Sequence, residues 1–158
     1  MGLTAEGWTA IFTGASVLVT LAVIALGVWQ ILSVRDEAKK NRTLSACERY
    51  DLDPVLDGSC RRLVQAKDSG DLEKNPRAYR VDIWSILNYL ESLAIGIERD
   101  LYLEPIVKDY MSDIIAGYVD EYITGGLAHR AAEGDVVGQV ERDYSGIIGL
   151  NRKWSANA

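Results

Sequence analysis

Proton transfer, nucleophilic attack and metal binding each need particular side chains within reach of one another, and this chain supplies few of them. Its one histidine, His129, follows Gly125-Gly126 and is flanked by Arg130 and Gly134. A Ser–His–Asp or Cys–His device would have to use it as the base; its setting reads as that of an exposed loop histidine. Cys47 and Cys60 are the only cysteines and are separated by 12 residues. A structural zinc site takes four ligands, and Cys47, Cys60 and His129 make three at most, without CxxC spacing. The two thiols read as free and packed like small apolar groups. Trp84, Asn88 and Glu91 recur at helical spacing and could line a pocket, with Glu98 at the edge of the same surface. The simpler reading of Glu91 is a carboxylate bonded to a backbone amide or to an arginine of a neighbouring helix. No GxGxxG, P-loop, HExxH or calcium-loop signature occurs. The expectation is a chain with no catalytic residue, no cofactor and no metal, and therefore not an enzyme.

The elements that would carry any site divide sharply by charge. Of 158 residues, 17 are Lys or Arg, and all of these lie at or after Arg35; Glu6 is the only charged side chain before it. Gly7 to Val34 is an uncharged run of 28 residues. As a helix it would be roughly 42 Å long, against a hydrocarbon core of about 30 Å, which suits one tilted span and excludes two. Trp8 and Trp29 would stand roughly 32 Å apart, at two interfacial belts. A cleaved signal peptide would need a basic n-region and an apolar core about half as long. This pattern excludes a freely soluble enzyme and a polytopic channel or transporter.

Arg35, Lys39, Lys40 and Arg42 follow the apolar run directly. Basic residues stay on the cytoplasmic side, so the expected topology is single-pass, with the N-terminus outside and the body in the cytoplasm. The same four residues, with Trp8 and Trp29, form the expected membrane-interface set, and they suit anionic headgroups. Small residues recur along the span, with Ala10 and Gly14 as one small-xxx-small pair and Ser16 and Thr20 as another. Such positions let a second helix approach closely, and these four are the expected helix-packing residues.

Residues 43–158 carry 13 basic and 20 acidic side chains. This acidic balance excludes nucleic-acid binding, which needs a basic face. Apolar spacing throughout is helical, and no long alternation suggests a sheet. The expected fold class is all-α: a single N-terminal transmembrane helix followed by a small cytoplasmic helical bundle. The expected division is a transmembrane anchor over 1–34, a basic stalk helix over 35–52, a helical domain over 53–125 and a Gly-rich extension over 126–158. Asp53-Pro54 reads as a helix start, with Val55, Leu56, Cys60, Leu63 and Val64 facing inward, and residues 67–76 read as a polar loop. Helices over 78–98 and 105–123, joined by a short connection, should pair as an antiparallel hairpin that makes most of the core. Gly125-Gly126 should end the second of them.

The run Ile86-Leu87-Asn88-Tyr89-Leu90-Glu91-Ser92-Leu93-Ala94-Ile95-Gly96-Ile97, followed by the amphipathic helix from Pro105, resembles a bacterial family known as the domain of unknown function four-seven-six-zero. The resemblance covers residues 8–125. It implies a membrane helix, a basic stalk and a small helical domain, and it implies no chemistry. Together these features predict a non-catalytic, single-pass accessory subunit of a larger bacterial membrane protein complex, structural or assembling in role. The alternative is a membrane-anchored regulatory or sensor protein acting as a homo-oligomer. The expected partners are an integral membrane complex and the lipid bilayer, with no small-molecule substrate, and the expected location is the bacterial cytoplasmic (inner) membrane.

Overall fold

A computed structural model describes residues 5–132 and 138–156, with side chains described from Ser16 onward. The fold is all-α, and no strand occurs among the described residues. The chain divides into two compact units between Ala38 and Lys39.

Helix α1 (Ala5–Leu52) carries the apolar run. Its residues up to Ala38 form the first unit, where Val17, Leu21, Ile24, Val28 and Ile31 are all more than half exposed. From Lys39 onward α1 belongs to the second unit, and there Thr43 and Cys47 are buried.

Asp53 caps α2 (Pro54–Asp68) as expected: its carboxylate accepts the Val55 N–H at 2.9 Å, and Pro54 occupies the first helical position. The inward face differs from the expected one. Leu56, Ser59, Leu63 and Ala66 are buried, whereas Val55 and Val64 are exposed. The phase is turned because Ser59 points inward to a carboxylate of the next long helix: its hydroxyl donates to Asp82 at 2.9 Å. Arg62 closes the cluster by donating from Nε to both Asp82 oxygens at 3.1 Å. Arg62 and Ser59 hold the Asp82 carboxyl below the usual carboxylate range against its partial burial.

The stretch expected as a polar loop is instead ordered. Gly70, at φ +70°, turns the chain into α3 (Asp71–Lys74), and a 3-10 turn over Pro76–Tyr79 leads into α4. Leu72, buried to 1% exposure, explains the difference: one apolar side chain among polar neighbours suffices to seat the turn on the core. Helix α4 (Arg80–Glu98) is the central element, with Ile83, Ile86, Leu87, Leu90 and Leu93 buried.

Helix α5 (Glu104–Tyr118) opens on Pro105 and widens into a π turn over Val119–Thr124. The Gly125 N–H donates to the Asp120 carbonyl at 2.8 Å, five residues back. A β-carbon at Gly125 would meet the Glu121 carbonyl oxygen at 2.5 Å, and Gly126 takes φ +75°, so this glycine pair does end the helix. The core is not chiefly an α4–α5 hairpin, however. Helix α4 packs most closely on α2 and on α8 (Ser145–Ser155), and α8 also lies against α5. The expected boundary at residue 125 has no counterpart in the packing. Leu127, Ala128 and Ala131 of α6 (Leu127–Ala131), Val140 of α7 (Gln139–Asp143), and Ile147, Leu150 and Trp154 of α8 all join the core. Gly146 of α8 serves close approach: a β-carbon there would crowd the Glu91 carboxylate. Val136 and Val137, within the expected Gly-rich extension, lie outside the described residues.

Candidate functional site

Three regions hold the residues singled out by the sequence. The first is the apolar helix. An 18-residue window of it has mean hydropathy 2.4, and none of that window is buried against protein. It is the one helix among the described residues long and apolar enough to cross a membrane. Trp8, Ala10 and Gly14 belong to α1, but their side-chain surroundings lie outside the described residues. Ser16 and Thr20 are exposed on the helix, and the Thr20 hydroxyl donates to the Ser16 carbonyl at 2.8 Å, the usual way such a residue satisfies itself in an apolar setting. Trp29 is 66% exposed.

The basic residues after the apolar run stand in two different settings. Arg35, Lys40 and Arg42 are exposed. Lys39 is half-buried and pairs with Asp100 at 2.5 Å. One turn further, the buried Thr43 hydroxyl donates to the Lys39 carbonyl at 2.8 Å and accepts the Leu103 N–H at 3.0 Å. The Tyr89 hydroxyl donates to the Ala46 carbonyl. The end of α1 is thereby tied to α4 and to the α4–α5 turn. That turn is built as a helix C-terminus in which Asp100 takes φ +58° in the place usually held by glycine. Its N–H donates to the Ile97 carbonyl at 3.0 Å, and the Leu101 N–H donates to the Gly96 carbonyl at 2.8 Å.

The third region is the face of α4 around Trp84, Asn88 and Glu91. Glu91 grips the start of α8, its two carboxylate oxygens accepting the Gly146 and Ile147 N–H groups, each at 2.9 Å. A carboxylate suits this position because the first N–H groups of a helix lack intrahelical partners and the helix dipole favours negative charge there. Asn88 accepts from the Tyr144 hydroxyl at 3.0 Å, and the Trp84 and Tyr144 rings meet edge to face at 6.5 Å. Burial pushes the Tyr144 phenol up to about 12. Glu104 holds the other end of α8, accepting from Lys153 Nζ at 2.7 Å and Trp154 Nε1 at 3.0 Å. Those two partners, Lys153 first, keep its carboxyl below the usual range. These polar groups are therefore spent on seating the C-terminal helix. Beside them a surface cavity of about 540 Å³ opens, lined by Arg80, Trp84, Asn88, Gln139 and Asp143.

His129 Nε2 lies 3.0 Å from Glu141 Oε1, so its partner is a carboxylate and no nucleophile. Cys47 is buried and Cys60 half-buried. The Cys60 thiol donates to the Tyr50 hydroxyl at 3.4 Å and lies 3.7 Å from the Tyr118 hydroxyl. Burial raises both phenols, so Tyr50 and Tyr118 are neutral at physiological pH. No group of three His, Cys, Asp or Glu side chains among the described residues is placed to hold a metal ion. Two features escaped sequence reasoning: the Ser59–Arg62–Asp82 cluster and the tyrosine–cysteine cluster beside the π turn. The only signal for the first was a serine in the apolar phase of α2.

The family model described as Domain of unknown function (DUF4760) matches residues 13–122, more than half of the chain. The chain belongs to the DUF4760 family. No curated protein and no solved structure matches it. The DUF4760 segment runs from within α1 to the π turn, and it contains Glu91 and Glu104. Both of these reach α8, which lies beyond the DUF4760 segment.

Proposed function

We propose that this DUF4760 protein is a non-catalytic, single-pass accessory subunit of a larger membrane protein complex, held in a bacterial cytoplasmic membrane with its body on the cytoplasmic side. The observation that carries the reading is the bare apolar helix: residues 17–34 expose large aliphatic side chains throughout, and lipid or another membrane helix must cover them. The second unit needs no such cover, since it has its own apolar core. Its polar interior supports a structural role as well. Every buried side-chain nitrogen or oxygen among the described residues has a hydrogen-bond partner, and Asp82, Glu91 and Glu104 are each engaged in holding one helix on another. The basic residues after the span support the orientation.

Purification in mild detergent tests the assignment. An accessory subunit should comigrate with a larger membrane assembly, whereas a homo-oligomer alone would move the assignment to a regulatory protein. Topology needs an introduced label, because Cys47 is too buried to report it. In a chain carrying Cys47→Ala and Cys60→Ala, Asp109→Cys should react with an impermeant maleimide only after lysis, and Glu6→Cys in intact cells. The reverse pattern would invert the topology.

A further inference from the structure

We propose that the α4–α5 turn at Arg99–Leu101, together with Lys40 and Arg42, is a docking surface for anionic phospholipid headgroups that lays the body against the bilayer. This rests on the reading of the apolar helix as a membrane anchor.

Chain length brings the turn to the membrane. Lys39 and Thr43 hold it through Asp100 at 2.5 Å and the Leu103 N–H at 3.0 Å. Lys39 follows Val34, the end of the apolar run, by five residues, and five residues of fully extended chain reach at most roughly 18 Å. Whatever the tilt of the anchor, the turn stays within about that reach and the length of a side chain.

Shape leaves an apolar tip outward. At a helix end of this kind the residue in the position of Leu101 ordinarily packs on the side chain of the residue in the position of Gly96. Gly96 has none, and the Tyr102 ring covers it: a β-carbon there would clash with the ring. Leu101 is left 46% exposed.

Charge selects the partner. Lys40, Arg42 and Arg99 are exposed, and no ion pair among the described residues engages them. The acidic groups of the turn are Glu98 and Asp100, and Asp100 is paired with Lys39. An exposed apolar tip beside Arg99, on a turn tied to the segment of α1 that carries Lys40 and Arg42, fits a bilayer surface bearing phosphate, where each basic residue changes partition by roughly fivefold. Residues 43–158 are otherwise acidic, so this surface is distinguished from the rest of the body.

The test uses the full chain in vesicles, with Cys47→Ala and Cys60→Ala and a bimane label at Leu101→Cys. Brominated lipids should quench the label in vesicles containing phosphatidylglycerol. They should not quench a label at Val81→Cys, at the opposite end of α4. Arg42→Gln with Arg99→Gln should lower the quenching at position 101 several-fold, as should replacement of phosphatidylglycerol by phosphatidylcholine. Absence of quenching at 101, equal quenching at 81, or quenching indifferent to lipid charge would overturn the proposal. A label at Val23→Cys separates this from the anchor itself: quenching at 23 without quenching at 101 refutes only the docking surface, and no quenching at 23 refutes the anchor. Trypsin cleavage after Arg99 in the unmodified chain gives a reading free of substitutions. It should slow several-fold in anionic vesicles, and equal rates in both lipids would count against the surface.

Discussion

A β-carbon placed on Gly146 would stand 2.6 Å from Glu91 Oε1, while Gly149, one turn along the same helix, has nothing within 4 Å. The two glycines therefore answer the same substitution in opposite ways. Gly149→Ala should stabilise the protein by up to about 1 kcal/mol, the ordinary preference of a helix for alanine. Gly146→Ala gains the same preference but displaces a carboxylate from two backbone donors, an interaction worth about 1.5–3 kcal/mol, so it should destabilise. Urea titration in detergent micelles, followed by far-ultraviolet circular dichroism, would show the contrast; equal shifts would mean that Glu91 does not seat α8. Asp82 supplies a pH test. Its carboxyl is held below the ordinary value of 3.8, chiefly by Arg62. A depressed folded value gives stability that is complete above the unfolded value and lost as pH falls through the folded one. Asp82→Asn should then be less stable than the parent at pH 7, and the gap should narrow as pH drops below about 4. A gap that stays constant down the acid limb would remove the Arg62–Asp82 pair from the account.

Long apolar periodicity made α2, α4 and α5 legible, and Asp53-Pro54 and Gly125-Gly126 marked their ends. Shorter elements were not, for identifiable reasons. Helix α3 shows only Leu72 as an apolar residue, too little to betray a period. The inward face of α2 turns on Ser59, whose polarity hides its burial until the partner carboxylate on α4 is known. Helix α8 holds two glycines that argue against a helix in isolation, and its place depends on Glu91 and Glu104, about fifty residues earlier. No local pattern announces a carboxylate that caps a distant helix. The consequence for α8 is measurable. Trp154 is 5% exposed and bonded to Glu104, so Trp154→Ala should cost about 3–5 kcal/mol, as large-to-small changes in a core do. Limited proteolysis should open the body generally and not only its C-terminal stretch. Cleavage confined to residues 139–156 would show that α8 is an appendage. Leu90→Asp, at a fully buried position of α4, should expose the same body to protease, because an unpaired buried charge costs several kcal/mol.

At the scale of the whole molecule, the covering of the first unit is the central question, and Gly14 is the residue to ask. Between helices in lipid, close packing is a main source of attraction, and it depends on small side chains. Gly14→Leu should leave the protein expressed and in the membrane while lowering its recovery with a co-purifying complex, and crosslinking should identify whether the lost neighbour is another protein or a second copy. Unchanged recovery and unchanged crosslinks would turn the Ala10–Gly14 face toward lipid and leave assembly to the body.

Trp154 and Leu150 complete a core whose other half, at Leu87 and Leu90, comes some sixty residues earlier in the chain. At roughly 5–20 residues per second, about 3–13 s of synthesis separate the two. During that interval α4 has left the ribosome with one apolar side bare. A cell that makes this protein must shield that side until α8 emerges, so slowed elongation between residues 100 and 150 should raise the share of newly made chains that aggregate or are degraded.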